Sequence, residues 1–199
     1  MVLKYEEYAR LKRGTKGGVA SVAFSSKGSY IAVAGTFDCT VYIWRVSDQK
    51  LMHTYKGSSP YLSLLWLPGS EDALLCGSQG GCLDHLQMTP AALDVAGFRG
   101  HRGAVECLSV RDDLLASGAQ SEVIVWNELE AGVYRRTAEL PPPPRSSHNE
   151  HSEILATGVH WIGRRRQSSL LVSYMFHGVV IYNPDNWTAL RTIPTPGMV

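Results

Sequence analysis

The sequence predicts an all-β fold: a propeller-type array of about four four-stranded antiparallel blades, in a ring that stays incomplete. The first observation behind this is texture. Gly100–Asn127 reads GHRGAVECLSVRDDLLASGAQSEVIVWN, with β-branched or aliphatic runs of strand length, each cut off by glycine or polar residues. The second is recurrence. The same plan occurs at Val19–Val46, VASVAFSSKGSYIAVAGTFDCTVYIWRV, and Trp44 and Trp126 stand 82 positions apart, twice 41. Self-similarity at that period marks a propeller array.

Composition narrows the function classes. The chain has 199 residues, 44% hydrophobic and 19% charged, with a net charge of +1. That length suffices to bury roughly 70% of the unfolded surface. Near-neutrality argues against a chain built to coat nucleic acid. No apolar run approaches the roughly 20 residues that cross a bilayer, and MVLKYEEYARLKRG has no signal-peptide core. The expected location is intracellular, in cytoplasm or nucleus, with no membrane partner. Cys39, Cys76, Cys82 and Cys107 sit in or beside expected strands without a CxxC pair, so they read as small apolar residues rather than zinc ligands or disulfides. The sequon Asn186-Trp187-Thr188 carries no weight without an export signal.

Taken in order, Tyr5–Arg13 alternates loosely as a strand would, although Leu3, Glu7 and Leu11 also fit a helix. The first unit places strand a at Val19–Phe24, b at Tyr30–Ala34, c at Thr40–Trp44 and d at Leu51–Tyr55, with turn chemistry at 26–28 and 47–49. Strands b and c are nearly continuous apolar runs, as expected where both faces are covered. The second unit is degenerate: Tyr61–Leu67, Ala73–Gly77, Gly81–Leu86 and Leu93–Phe98. Asp84 and His85 stand out inside its third strand, and His85 reads as a hydrogen-bonded histidine rather than a ligand. The third unit has its strands at Val105–Val110, Leu114–Ser117, Val123–Trp126 and Val133–Leu140. Four prolines, Pro141–Pro144, then favour an extended left-handed helix in a mobile insertion. The fourth unit runs Ala156–Trp161, Ser169–Tyr174, Gly178–Tyr182 and Ala189–Ile193, with a basic turn at 163–168. The expected division is an outer strand or extension at 1–14, blades at 15–57, 58–100 and 101–140, a proline-rich loop at 141–152 and a blade at 153–199.

Gly100-His101, Leu115-Ala116-Ser117-Gly118 and Ile124-Val125-Trp126-Asn127 carry a family resemblance, as do Phe24-Ser25-Ser26-Lys27-Gly28, Asp38-Cys39-Thr40-Val41 and Ile43-Trp44-Arg45. From about Tyr8 to Ile193 the chain resembles the WD-repeat family. The resemblance implies four-stranded radial blades, binding rather than catalysis, and an outer strand just upstream of Val19. It also implies a buried histidine–hydroxyl–tryptophan chain anchored by an aspartate. A buried indole N–H needs an acceptor, and such a network stabilises only when every member is satisfied. Unit three supplies His101, Ser117 and Trp126, with Gln120 or Ser121 where the aspartate belongs. Unit one supplies Asp38 and Trp44, with Ala34 in place of the hydroxyl. The network is therefore expected to be incomplete in every unit.

No catalytic constellation emerges. The chain has no Gly-x-Ser-x-Gly elbow and no phosphate-binding glycine loop. His148-Asn149-Glu150-His151 has zinc-protease spacing but follows four prolines instead of lying on a helix. No cofactor or metal is expected. Leu140–Arg145 resembles ligands of proline-recognising domains, with a stiff spacer as the plainer reading. Arg164-Arg165-Arg166 upstream makes Ser168 a candidate phosphorylation site, against a solvated turn. The same arginines offer an alternative role with RNA, though no aromatic interleaving supports a nucleic-acid platform. A propeller enzyme would need acids or histidines on the innermost strands, where the first three units offer mainly Glu106.

The resemblance places binding surfaces on the rim of the d–a and b–c loops, which selects Phe37, Tyr61, Gln79, Arg102, Gln120 and His177 as candidate partner-binding residues. The expected function is a non-catalytic scaffold or adaptor for a protein or peptide partner. Four units and a supernumerary first strand suggest a partial ring, whose uncovered end faces invite missing blades or self-association.

Overall fold

A computed structural model of the chain describes residues 4, 6–7, 9–11, 14–15, 17–89, 91–145, 149–164 and 167–194. Among these residues there are sixteen strands and no helix. Sheet 1 consists of β1 Val19–Phe24, β2 Tyr30–Gly35, β3 Thr40–Arg45 and β4 Lys50–Lys56. Sheet 2 is β5 Tyr61–Trp66, β6 Ala73–Ser78, β7 Cys82–Met88 and β8 Leu93–Arg99. Sheet 3 is β9 Cys107–Arg111, β10 Leu114–Ala119, β11 Glu122–Glu130 and β12 Val133–Glu139. Sheet 4 is β13 Ala156–Arg164, β14 Gln167–Tyr174, β15 Gly178–Tyr182 and β16 Ala189–Ile193. Each sheet is an antiparallel meander whose strands pair in chain order.

Period-two alternation gives every sheet two faces. In sheet 1, Val41 and Ile43 lie on one face of β3, and Tyr42 and Trp44 on the other. Ala32, Ala34, Val41 and Ile43 pack with Tyr61, Trp66, Leu74, Cys76 and Leu86 of sheet 2. The opposite face of sheet 2 sends Leu75 and Leu83 against Leu115, Ile124 and Trp126 of sheet 3. Ala116, Val123 and Val125 then meet Leu170, Val172, Tyr174, Val180 and Tyr182 of sheet 4. The innermost strands follow suit, β1 against β5, β5 against β9 and β9 against β13. Among the described residues no buried cluster joins sheet 4 back to sheet 1, so the sheets form an open arc.

Polar clamps stitch the seams. Ser25 Oγ donates to Glu71 Oε2 at 2.7 Å, and the Lys27 and Ser29 amides also donate to that carboxylate. Burial opposes ionisation of Glu71, but these donors together hold it below the ordinary carboxylate range. Trp66 Nε1 donates to Ala23 O at 3.0 Å across the same seam.

Three expectations change. The strand expected upstream of Val19 is not formed among the described residues; Tyr5, Tyr8, Lys12 and Arg13 lie outside them. Each sheet already has its fourth strand, so the segment has no vacant ladder position within the arc. The proline insertion is docked rather than mobile. Leu140 and Pro143 are buried, Tyr182 Oη donates to Pro141 O at 3.0 Å, and Asn149 Nδ2 donates to Phe176 O at 3.3 Å. A strap bonded to sheet 4 in this way does not present a free proline ligand. β13 and β14 reach into the basic stretch and stay paired as far as Arg164 and Gln167. Ser168 pairs with Gly163 in that ladder, half-buried and inside a strand. Arg165 and Arg166 lie outside the described residues.

Candidate functional site

The b–c and d–a loops share one end of the sheets, and backbone hydrogen bonds lock them together into a rim. Thr36 N donates to Gly18 O, Gln79 N to Pro60 O, and Ala156 N to Gln120 O, at 2.7–2.9 Å. The amides of Gly100 and His101 both donate to Gly81 O at 3.0 Å. Gly81 has φ +84°, and a Cβ there would lie 2.2 Å from His101 O, so only glycine permits this crossing.

The candidate rim residues divide. Phe37 is 78% exposed, and Gln79, Arg102 and Gln120 are also exposed. Tyr61 and His177 are buried, each 1% exposed, which removes them from the contact surface. Tyr61 is buried because it opens β5 and donates its hydroxyl to Asp84 Oδ2, which Tyr55 Oη reaches at 3.3 Å. Burial and the adjoining carboxylate push the Tyr61 hydroxyl far above its ordinary pKa, so it acts as a donor. The odd aspartate of the third strand is thus the acceptor at the heart of the first seam. His177 is enclosed in the β14–β15 turn with neither ring nitrogen partnered among the described residues, and burial lowers its pKa.

The buried network of unit three is complete. Trp126 Nε1 donates to Ser117 Oγ at 2.7 Å, Ser117 Oγ lies 2.7 Å from His101 Nε2, and His101 Nδ1 lies 3.2 Å from Glu122 Oε2. Burial lowers the His101 pKa and Glu122 opposes the shift, which leaves a neutral ring at pH 7. The hydrogen bonds then assign the tautomer: Nδ1–H donates to Glu122 and Nε2 accepts from Ser117. Sequence reasoning missed Glu122 because it stands one position beyond Ser121, at the start of β11, and its extra methylene spans the offset. Glu122 also receives the Arg102 amide at 3.3 Å, tying the network to the rim.

Sheet 1 departs differently. Ser117 and Trp126 share a face because Trp126 pairs with Leu115, two residues before Ser117. Trp44 pairs with Ile31, so the matching position is Val33, and Ala34 lies on the opposite face. Trp44 Nε1 consequently has no partner among the described residues. Asp38 accepts instead from Tyr42 Oη at 2.9 Å and from Thr40 N at 3.2 Å. Sheet 4 substitutes a tyrosine pair, Tyr174 Oη and Tyr182 Oη 3.2 Å apart. His85 is buried beside Tyr134 Oη at 3.3 Å, its Nε2 unpartnered among the described residues.

The innermost strands converge on a channel of about 240 Å³ lined by Ser21, Ser63, Glu106, Cys107 and His160 among others. His160 is the acid–base residue there that the sequence reading did not weigh. Burial pushes the Cys107 thiol up to about 12, so it holds its proton at neutral pH and is no nucleophile. Among the described residues no three His, Cys, Asp or Glu side chains group as a metal site, and all four cysteines are free thiols. Residues 149–152 of the zinc-like tetrad region form turns, and His148 lies outside the described residues. No helix of the described residues is long and apolar enough to cross a membrane.

The family model for the WD domain, G-beta repeat, matches residues 7–45 and 94–127. The chain is 29% identical over 127 residues to the ribosome biogenesis protein BOP1 homolog of Drosophila ananassae, covering 64% of this chain and 14% of that protein. It is 27% identical over 94 residues to meiotic fizzy-related protein 1 of Schizosaccharomyces pombe, covering 46% and 22%. The chain thus spans less than a quarter of either curated relative. Among solved structures, the β-propeller domain of Myceliophteria thermophila Cps50 (Swd1) superposes with a TM-score of 0.73 at 19% identity, covering 92% of this chain and 57% of that one. A chain of the mitotic checkpoint complex gives 0.69 at 22% identity, covering 88% and 51%. Four four-stranded sheets and these neighbours show the β-propeller fold, and two segments of the chain match the WD repeat.

Proposed function

We propose that the chain is a non-catalytic interaction scaffold of the cytoplasm or nucleus that presents its rim to a protein or peptide partner. The observation that carries this is the rim itself: Phe37, Gln79, Arg102 and Gln120 stand exposed on loops whose backbones are hydrogen-bonded to one another. Rigid loops lose little entropy on binding, and aromatic and arginine side chains are the commonest anchors. Several interior polar groups are engaged with one another, Asp84 with Tyr55 across a seam and His101 with Ser117 and Glu122 within unit three, where they serve stability. Similarity to proteins named for ribosome biogenesis and to a chain of a checkpoint complex supports a role in assemblies. Affinity capture from cell extract tests it. A partner retained by the wild type is expected to be lost with Phe37→Ala and Arg102→Ala, and retention by both variants counts against the rim.

The open end faces supply a second contact surface. Val22 and Phe24 are 51% and 60% exposed on sheet 1, and Ile193 is 45% exposed on sheet 4. Either further propeller sheets or another copy of the chain would cover them. The isolated chain is expected to self-associate, and a clean monomer by light scattering at roughly tens of micromolar would count against that.

A further inference from the structure

At the seam between sheets 2 and 3, a cleft of about 300 Å³ opens beside the rim, lined by Arg99, Arg102, Arg136, Glu122 and Glu139 with His101 beneath them. That volume sits at the lower end of ligand pockets, roughly 300–1,000 Å³. We propose that this cleft receives one carboxylate of a partner peptide, and that Glu139 is the built-in occupant this carboxylate displaces. The proposal rests on the scaffold reading and gives it a partner chemistry.

The two glutamates have different holds on the cleft. Glu122 is fixed from several sides, by His101 Nδ1 at 3.2 Å, by the Arg102 amide at 3.3 Å and by Arg102 Nε at 3.7 Å. Glu139 is exposed and paired only with Arg136 among the described residues. Three residues apart on a strand, they would ordinarily point to opposite faces. A bulge prevents this: Trp126 pairs with Arg136 while Val125 pairs with Ala138, so the extra residue Thr137 re-aims the chain. Arg99 is exposed and has no acidic partner among the described residues. The cleft therefore holds a guanidinium without a carboxylate and another whose carboxylate is free to leave.

Charge decides the ligand class. Three arginines and two glutamates leave one positive charge, because burial keeps His101 neutral. A single carboxylate balances that surplus and matches the planar fork of a guanidinium. Glu139 gives up Arg136 but stays tethered on β12 at the cleft edge, so its charge still counts, and a phosphate with a charge near −2 exceeds the surplus.

The test is a titration of the full ¹⁵N-labelled chain with acetyl-Gly-Ser-Glu-Ser-Gly-amide, following the arginine side-chain Nε–H resonances. Saturable shifts at Arg99 and Arg136 are expected, with none from the peptide carrying Gln for Glu. Glu139→Gln removes the competitor and is expected to tighten binding by roughly two- to fivefold, the range that an exposed ion pair represents. Arg99→Ala is expected to weaken it several-fold. A free C-terminal carboxylate on a Glu-less peptide tests the other source of the same group, and binding by either peptide supports the site. Unchanged affinity in Glu139→Gln, or tighter binding of a phosphoserine peptide than of the Glu peptide, overturns it. If the wild type captures a partner through Phe37 and Arg102 yet shows no such shifts, the cleft fails and the scaffold stands.

Discussion

The middle and end sheets of the arc are built from similar strands and fare differently. In sheet 2, all six residues of β6 are buried, polar Ser78 among them. In sheet 4, burial alternates along β14: Leu170, Val172 and Tyr174 are buried, while Ser169, Leu171 and Ser173 are half-exposed. Sheet 1 exposes Val22 and Phe24 on the face turned away from sheet 2, which also carries the buried Val33 and Trp44. Along β6 and β14, a residue that faces a neighbouring sheet is buried and one that faces away from it stays partly in water. The largest test contrasts two leucines. Leu75→Ala opens a cavity in the seam between sheets 2 and 3 and is expected to cost about 2–5 kcal/mol. Leu171→Ala is expected to cost under about 1.5 kcal/mol, since it is only partly buried. Urea midpoints for both variants check the ratio, and equal losses would mean that the outer face of sheet 4 is covered in solution.

The polar interiors sharpen the contrast. Ser117→Ala strips the acceptor from Trp126 Nε1 and the donor from His101, both buried, at an expected cost of about 1–3 kcal/mol. In the end sheet, Tyr182→Phe breaks the bonds to Tyr174 and Pro141 O, at about 1 kcal/mol, and releases the strap. Faster amide exchange around Asn149–Ser152 in Tyr182→Phe, absent from Ser117→Ala, would separate strap from core.

Strand positions were legible in the sequence because apolar runs and glycine turns are local features, and β1 through β8 fall close to where those runs lie. The recurring tryptophans were legible as well. Which face each one takes was not, because that depends on ladder register. Ala34 looked like the counterpart of Ser117 by its following glycine, yet pairing across β2 and β3 gives the place to Val33. Glu122 was hidden because side-chain reach, and not spacing, completes its network. Tyr61 was misplaced on the rim because its hydroxyl finds Asp84 only after the strands fold together. Exposure was legible for Phe37, Gln79, Arg102 and Gln120 in their turns, but not for Tyr61 at a strand start or for His177, a turn residue that is nonetheless buried.

Acid exposes the middle sheets. Burial holds the His85 and His101 imidazoles below the ordinary 6.5, with Glu128 and Glu122 opposing the shift. Above about pH 6.5 both folded and unfolded chains carry these rings neutral, and stability does not depend on them. Below it the unfolded chain takes up protons that the folded chain refuses, so stability falls with pH, by up to about 1.4 kcal/mol per pH unit for each ring. His85→Gln, which keeps a polar group beside Tyr134, is expected to flatten the decline between pH 6.5 and 5 in thermal melts. An unchanged slope would place the acid sensitivity elsewhere.

The smallest effect is the most discriminating, because its sign depends on register alone. Trp44 is 1% exposed, and its Nε1–H has no partner among the described residues. Val33 stands to Trp44 as Ser117 stands to Trp126, on the same face and two residues from the indole's ladder partner. Val33→Thr keeps the branched shape and offers the indole an acceptor, for an expected gain of about 0.5–1.5 kcal/mol. Ala34→Ser puts its hydroxyl into the apolar seam with sheet 2, at an expected cost of about 1 kcal/mol. A urea midpoint that rises for Val33→Thr and falls for Ala34→Ser fits Trp44 facing away from sheet 2. The reverse order would turn Trp44 inward, toward sheet 2.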